Sequence, residues 1–194
     1  MTSFSSIKRF FTVFSLAAAL SVSTTSCKQE TKDTEEVAED QNEERFEHDE
    51  KKDDAAEFLV DVAAMNHKEI QLGKLAQKST NAEVKAHGKM MEEEHTRNFN
   101  ELKMLAEQKQ ITVPMSVTQD GMDAYNKLSE KQGADFDKDY LNMMVEKHEE
   151  AVKEFEEFVG QSTDAEIKAW AGKTLETLRT HLTHTTALRD KYKK

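Results

Sequence analysis

Cysteine, proline, glycine and tryptophan are all scarce in this chain: one Cys, one Pro, six Gly and one Trp in 194 residues. With Cys27 as the sole thiol, there is no disulfide framework and no paired-cysteine metal or redox motif. Scarce proline and glycine leave little punctuation for a fold of many short strands. No apolar run reaches the roughly 20 residues that a helix needs to cross a bilayer core, and the one from Phe10 to Val22 is too short. Basic residues number 27 against 38 acidic ones and are scattered among them, so the clustered Lys and Arg that a nucleic-acid partner requires are missing. No Gly-rich phosphate loop and no Ser-His-Asp arrangement is present, and no catalytic residue is assigned.

The N-terminal order is informative. Lys8 and Arg9, the apolar run, and then Ser23-Thr24-Thr25-Ser26-Cys27 follow the charged, apolar and small-residue sequence of a secretory signal. Small residues before the only cysteine resemble the lipobox of bacterial lipoproteins, where that cysteine becomes the lipidated first residue of the mature chain. Thr24 stands where a lipobox usually carries an aliphatic residue. The expected division is a signal peptide over 1–26, an acidic disordered tether over 27–52, and a folded domain over 53–194. The tether is expected because its Glu, Asp, Thr and Gln offer too little apolar surface to bury. Removal of residues 1–26 takes away two of the 27 basic residues and none of the 38 acidic ones, leaving 25 against 38 and a formal charge of −13. A lipid on Cys27 implies a membrane partner and a place in the cell envelope, at the outer membrane facing periplasm or surface. Protein partners are not specified, and a homo-oligomer is neither required nor excluded by the pattern.

The rest of the chain has helical periodicity. Long helices are expected near Asp53–Lys78, Asn81–Gln110, Asp135–Val159 and Asp164–Tyr192, with Asn81 and Asp164 as N-caps. Each carries an apolar stripe at three- and four-residue steps, such as Phe58, Val62, Met65, Leu72 and Ala76 in the first. Each stripe is interrupted by one strongly polar residue: Glu69, His95, His148 and His181 in turn. A buried carboxylate or imidazole is costly unless paired, hydrogen-bonded or bound to metal, so the four need a common explanation.

Two short connections make two antiparallel hairpins. Ser79-Thr80-Asn81-Ala82-Glu83-Val84-Lys85-Ala86 is echoed by Ser162-Thr163-Asp164-Ala165-Glu166-Ile167-Lys168-Ala169, which points to an internal repeat. Between the hairpins, Ile111 to Gly133 holds Pro114 and a short helix expected around Asp120–Glu130. A long middle crossover is the connectivity of ferritin-like bundles, with the second and third long helices parallel. The fold class expected is therefore all-α, a ferritin-like four-helix bundle of two hairpins.

The segment from Phe58 to Leu188 resembles the ferritin-like family known as domain of unknown function 4142. The resemblance rests on Glu69 to Ala76, the Glu94-His95 pair, Lys147-His148 and Thr177 to Leu182. It implies the fold and an exported, envelope-located protein; it implies no reaction.

Di-metal carboxylate sites in such bundles draw a Glu from each of two helices and Glu-x-x-His from each of the others. Glu69 fits the first role, and Glu92 with His95 forms one Glu-x-x-His. His148 stands where a carboxylate is expected, and Leu178 where the last glutamate should be, which argues against a bridged pair of irons. The set Glu69, Glu92, His95, His148 and His181 instead suits one transition-metal ion, Zn, Cu, Ni or Fe. Counted from the hairpin turns at about 1.5 Å per residue, their levels spread over roughly 12 Å, so they need not meet at one ion. The competing reading is a metal-free polar core in a helical interaction or envelope-stress module. His184 is a further ligand candidate. His48, His67 and His87 fall off the stripes and are expected to be solvated, Met65, Met91, Met143 and Met144 to pack, and Glu149, Glu150, Glu154, Glu156 and Glu157 to form a solvated face.

Overall fold

The computed structural model describes residues 32–192, and Cys27, with the signal-like segment, lies outside them. Among the described residues there are six helices and no strand: α1 Thr34–Phe46, α2 Glu50–Ala76, α3 Ala82–Lys109, α4 Gln119–Ser129, α5 Gly133–Gln161 and α6 Ala165–Lys191. None of them is long and apolar enough to cross a membrane.

The repeated N-terminal octets give equivalent caps. Asn81 Oδ1 accepts from the backbone N–H of Glu83 and Val84, and Asp164 Oδ1 from those of Glu166 and Ile167. Each cap supplies acceptors for N–H groups that have no partner inside the helix.

Helix α2 packs antiparallel to α3, and α5 to α6. Asn66 faces Asn98, Gly73 faces Gly88, and His148 faces His181 while Phe155 faces Trp170. Between the hairpins, Glu69 meets His148 and Phe58 meets Phe155, so α5 runs against α2. His87 meets Thr185 and Asn98 meets Thr174, so α6 runs against α3. It follows that α3 and α5 run in the same direction. The link between them travels the length of the helices: Lys109 pairs with Asp164 at one end, and Ser79 donates to Asp137 at the other.

The α2–α3 hairpin closes on two glycines. A Cβ on Gly88 would lie 2.6 Å from the Gly73 carbonyl oxygen and 2.6 Å from Ala76 Cβ, so the backbones approach as only glycine allows. Gly88→Ala is expected to cost about 1–3 kcal/mol by overpacking, read as a lower urea midpoint at unchanged m-value.

The tether expectation for 27–52 is not met over 34–46. There α1 docks on α2 through Ala38, Asn42 and Phe46, buried at four-residue spacing. Asn42 donates to the Thr112 carbonyl and accepts from the Thr112 N–H, at 2.7 and 2.8 Å. Three side chains cannot fold such an acidic segment alone; a ready-made surface to dock on supplies the rest.

Two apolar clusters fill the interior. One holds Phe58, Leu59, Val62, Leu102, Phe155, Ile167 and Leu178, and the other Leu72, Val84, Met91, Tyr140, Met144 and Leu188. On each long helix the interrupting polar residue falls between members of the two clusters: Glu69 between Val62 and Leu72, His181 between Leu178 and Leu188. The polar side chains thus form a layer sealed on both sides by packed hydrocarbon.

Candidate metal centre

Glu69, His95, His148 and His181 come from α2, α3, α5 and α6 and are all buried, at 1%, 3%, 0% and 5% exposure. They do meet, and depth counted from the turns did not show it because the two turns lie at opposite ends of the helices, Ser79 beside Asp137 and Asp164 beside Lys109. His95 Nε2 lies 2.8 Å and His148 Nε2 3.6 Å from Glu69 Oε2. The three imidazole rings surround the point, with centroids 5.5 to 5.8 Å apart and steep mutual tilts. One ligand-capable nitrogen from each ring lies within 4.8 Å of the other two.

The outer hydrogen bonds fix the tautomers. His148 Nδ1 lies 2.8 Å from the Met144 carbonyl, which only accepts, so Nδ1 carries the hydrogen. His95 Nδ1 lies 2.9 Å from Asn66 Oδ1. The Asn66 amide is oriented because its Nδ2 donates to the Val62 carbonyl and to Asn98 Oδ1. Asn98 in turn donates to Thr174 Oγ1 at 3.0 Å. Both ring Nε2 atoms therefore face inward, held by partners of the kind that orient metal-ligating histidines.

What faces inward has no hydrogen-bond partner. Both Glu69 oxygens, His95 Nε2, His148 Nε2 and His181 Nδ1 are buried and unsatisfied. The 2.8 Å approach of His95 Nε2 to Glu69 Oε2 is a close polar contact.

Burial dominates the imidazoles. His148 is lowered from its ordinary range by desolvation, against the pull of Glu69. His181 is lowered to about 3, by desolvation and then by the neighbouring His95 and His148. Burial opposes the Glu69 charge too, but the surrounding imidazoles outweigh it and draw the carboxyl down to about 2. The Glu69 carboxylate held ionised in this buried layer needs positive charge facing it, on the imidazoles or from a cation between them.

The distances fit a cation. Ligand atoms at about 2.0–2.1 Å from an ion stand about 2.9 Å apart at right angles and about 3.4 Å apart at tetrahedral angles. The observed 2.8 and 3.6 Å bracket that range. Nitrogens within 4.8 Å of one another each need to move by less than about 1 Å to reach a common ion.

A family model described as a domain of unknown function (DUF4142) matches residues 22–188. The chain belongs to this family. No curated protein and no solved structure matches it. Membership in DUF4142 supplies no reaction, so the chemistry has to come from the residues themselves.

Glu92 is not part of the centre of this DUF4142 chain. It is half-buried about one turn along α3 from His95, where Oε2 accepts from Gln77 Nε2 at 2.6 Å and Oε1 lies 3.9 Å from Lys74. The Glu-x-x-His spacing turned the carboxylate toward the α2 C-terminus because two partners were waiting there. Leu178 is buried where a second Glu-x-x-His would need its carboxylate. His184 is exposed, as is His48, and His67 is half-buried, 3.2 Å from the Pro114 carbonyl and against Phe99. Met91 and Met144 pack inside, as expected of core methionine.

His87 is a correction: expected to be solvated, it is 1% exposed. Its Nδ1 bonds Tyr140 Oη at 2.9 Å and its Nε2 bonds Thr185 Oγ1 at 2.8 Å, while Thr185 donates to the His181 carbonyl. Desolvation, then His184, lowers it to about 4. The overlooked signal was Tyr140 and Thr185 on inward stripes, since two buried hydroxyls need a polar partner.

Proposed function

We propose that this chain is a lipid-anchored envelope protein whose four long helices form a ferritin-like bundle around one divalent transition-metal ion. His95 Nε2, His148 Nε2, His181 Nδ1 and Glu69 hold the ion. The observation that carries this reading is the convergence of unpartnered polar atoms: Nε2 of His95 and of His148, turned inward by the Nδ1 hydrogen bonds, and Nδ1 of His181 surround the buried Glu69 carboxyl group. Buried polar atoms without partners are costly, and a cation among them would satisfy all of them at once. Three neutral imidazoles and one carboxylate suit Zn, Cu, Ni or Fe, and one carboxylate is too little charge to bridge two irons. The role is binding: no nucleophile or paired general acid and base accompanies the ligands.

The common direction of α3 and α5 and the long crossover support ferritin-like connectivity. The secretory order ending at Cys27 supports the anchor. The rival reading is a metal-free polar core with a proton on His95 opposite Glu69, in a helical interaction module. It is favoured by the 2.8 Å contact and leaves His148 Nε2 and His181 Nδ1 without a hydrogen-bond partner. Protein extracted from its native envelope tests both parts. Elemental analysis is expected to find one transition-metal ion per chain, and mass spectrometry a lipid on an N-terminal Cys27. Metal-free protein that takes up none of Zn, Cu, Ni or Fe would leave the rival reading, and an unmodified Cys27 in the mature chain would remove the anchor.

A further inference from the structure

A buried centre needs a way in, and one cleft leads to it. The cleft, of about 170 Å³, is lined by Glu69 at its floor and by Asp61 and Glu154, both exposed, at its mouth. Between them Asp61, Met65 and Glu69 follow one another at four-residue steps along α2, a descent of about 12 Å for eight residues. Ala64 and Ala151 line the same wall, and their small side chains leave the passage open. Glu69 is 1% exposed, and its Oε1 has no hydrogen-bond partner. A larger cleft of about 530 Å³ shares Asp61 and Glu154 but does not reach Glu69, and neither cleft is lined by the three histidines.

The mouth is built of carboxylates from three helices, Glu35 of α1, Asp61 of α2 and Glu154 of α5, with Glu39 of α1 beside it. One oxygen each from Glu35 and Glu39 on α1 and Asp61 on α2 lie within 4.8 Å of one another, the spacing of a cation site. Their charges strain against one another. Partial desolvation, then Glu57 and Glu39, pushes Asp61 up to about 6. Partial desolvation, then Asp61 and Glu150, pushes Glu154 up to about 7. Glu35 is raised as well, by desolvation, Asp61, Glu39 and Asp33, against Lys68. The two lysines lining the cleft do not relieve this: Lys68 is paired with Asp120 and Lys147 with Glu150.

We propose that this cleft is the route by which a divalent cation reaches the buried centre. Glu35, Glu39 and Asp61 take it from solvent at the mouth, and Glu69 receives it at the floor. The route rests on the metal reading of the centre, and it assigns a function to α1, whose docking brings Glu35 and Glu39 to Asp61. It also gives a reason for the close approach of the three carboxylates: an arriving cation neutralises the cluster, and hand-over to a deeper, nitrogen-rich site releases it.

The test is stopped-flow loading of the full, metal-depleted chain with Co²⁺, whose visible bands report nitrogen and oxygen ligation at the centre. The comparison is wild type against the triple variant Glu35→Gln, Glu39→Gln and Asp61→Asn. All three positions are at least partly open to solvent, and circular dichroism confirms the fold of the variant. The expected result is a loading rate at least about tenfold lower at low salt, in the range of electrostatic steering. Release should slow similarly, the dissociation constant should stay within about threefold, and the loading rate should lose its dependence on ionic strength. Co²⁺ that binds both proteins at equal rates would overturn the route and leave the centre standing. Wild type that gives no Co²⁺ bands at all would overturn the centre, and the route with it.

Discussion

Addition of the cognate metal to metal-depleted protein is expected to raise the thermal midpoint by about 5–10 °C. Ligand that binds only the folded state contributes about 2.7 kcal/mol at 100 times the dissociation constant. For a domain of this size each kcal/mol moves the midpoint by about 2–4 °C. Chelator should return the midpoint to its starting value, and Zn, Cu, Ni and Fe should rank by the size of the shift. His148→Ala should abolish the shift with every metal. It should also lower the stability of the metal-free protein by about 1–3 kcal/mol, because it opens space beside Glu69 in a buried layer. The two effects separate the readings: a metal-free polar core gives the second without the first. No shift with any of the four metals would end the metal reading.

Acid should weaken the metal-free fold well above the range in which ordinary carboxylates titrate. His87 is held neutral in the folded state at about 4, against about 6.5 when unfolded. Between those values the unfolded chain binds a proton that the folded chain does not, so stability falls as pH falls. The contribution is complete above about pH 6.5 and is lost progressively down to about pH 4. At 1.36 kcal/mol per unit, the His87 share is about 3 kcal/mol. His181, lowered to about 3, extends the same loss to lower pH. Asp61 and Glu154 act with the opposite sign, since raised carboxylates gain protons in the folded state as pH falls, but both are exposed and solvent screens them. Urea midpoints at pH 7.5 and 4.5 measure the sum. His87→Gln, which keeps hydrogen-bonding capacity and removes the titration, should flatten the profile between them. A profile unchanged by His87→Gln would show that His87 reaches water.

The polar interruptions on four apolar stripes marked Glu69, His95, His148 and His181, and the Asn81 and Asp164 caps marked where two helices begin. These are local signals, set by helix periodicity and by backbone groups that need partners near at hand. The long link between the hairpins was equally legible, since chain length alone says whether a connection can span a helix. Three things were decided by tertiary packing. The packing of one hairpin against the other brings the four polar residues to one point, which no count along a single helix contains. Glu92 was drawn to Gln77 and Lys74, and His87 to Tyr140 and Thr185, because a side chain near a stripe boundary turns toward whichever partner a neighbouring helix offers. Helix α1 exists because α2 gives Ala38 and Phe46 a surface and Thr112 gives Asn42 two backbone bonds. Sequence alone determined which residues would be buried against their chemistry; which of them meet depended on distances between helices, and those are fixed only when the whole interior packs.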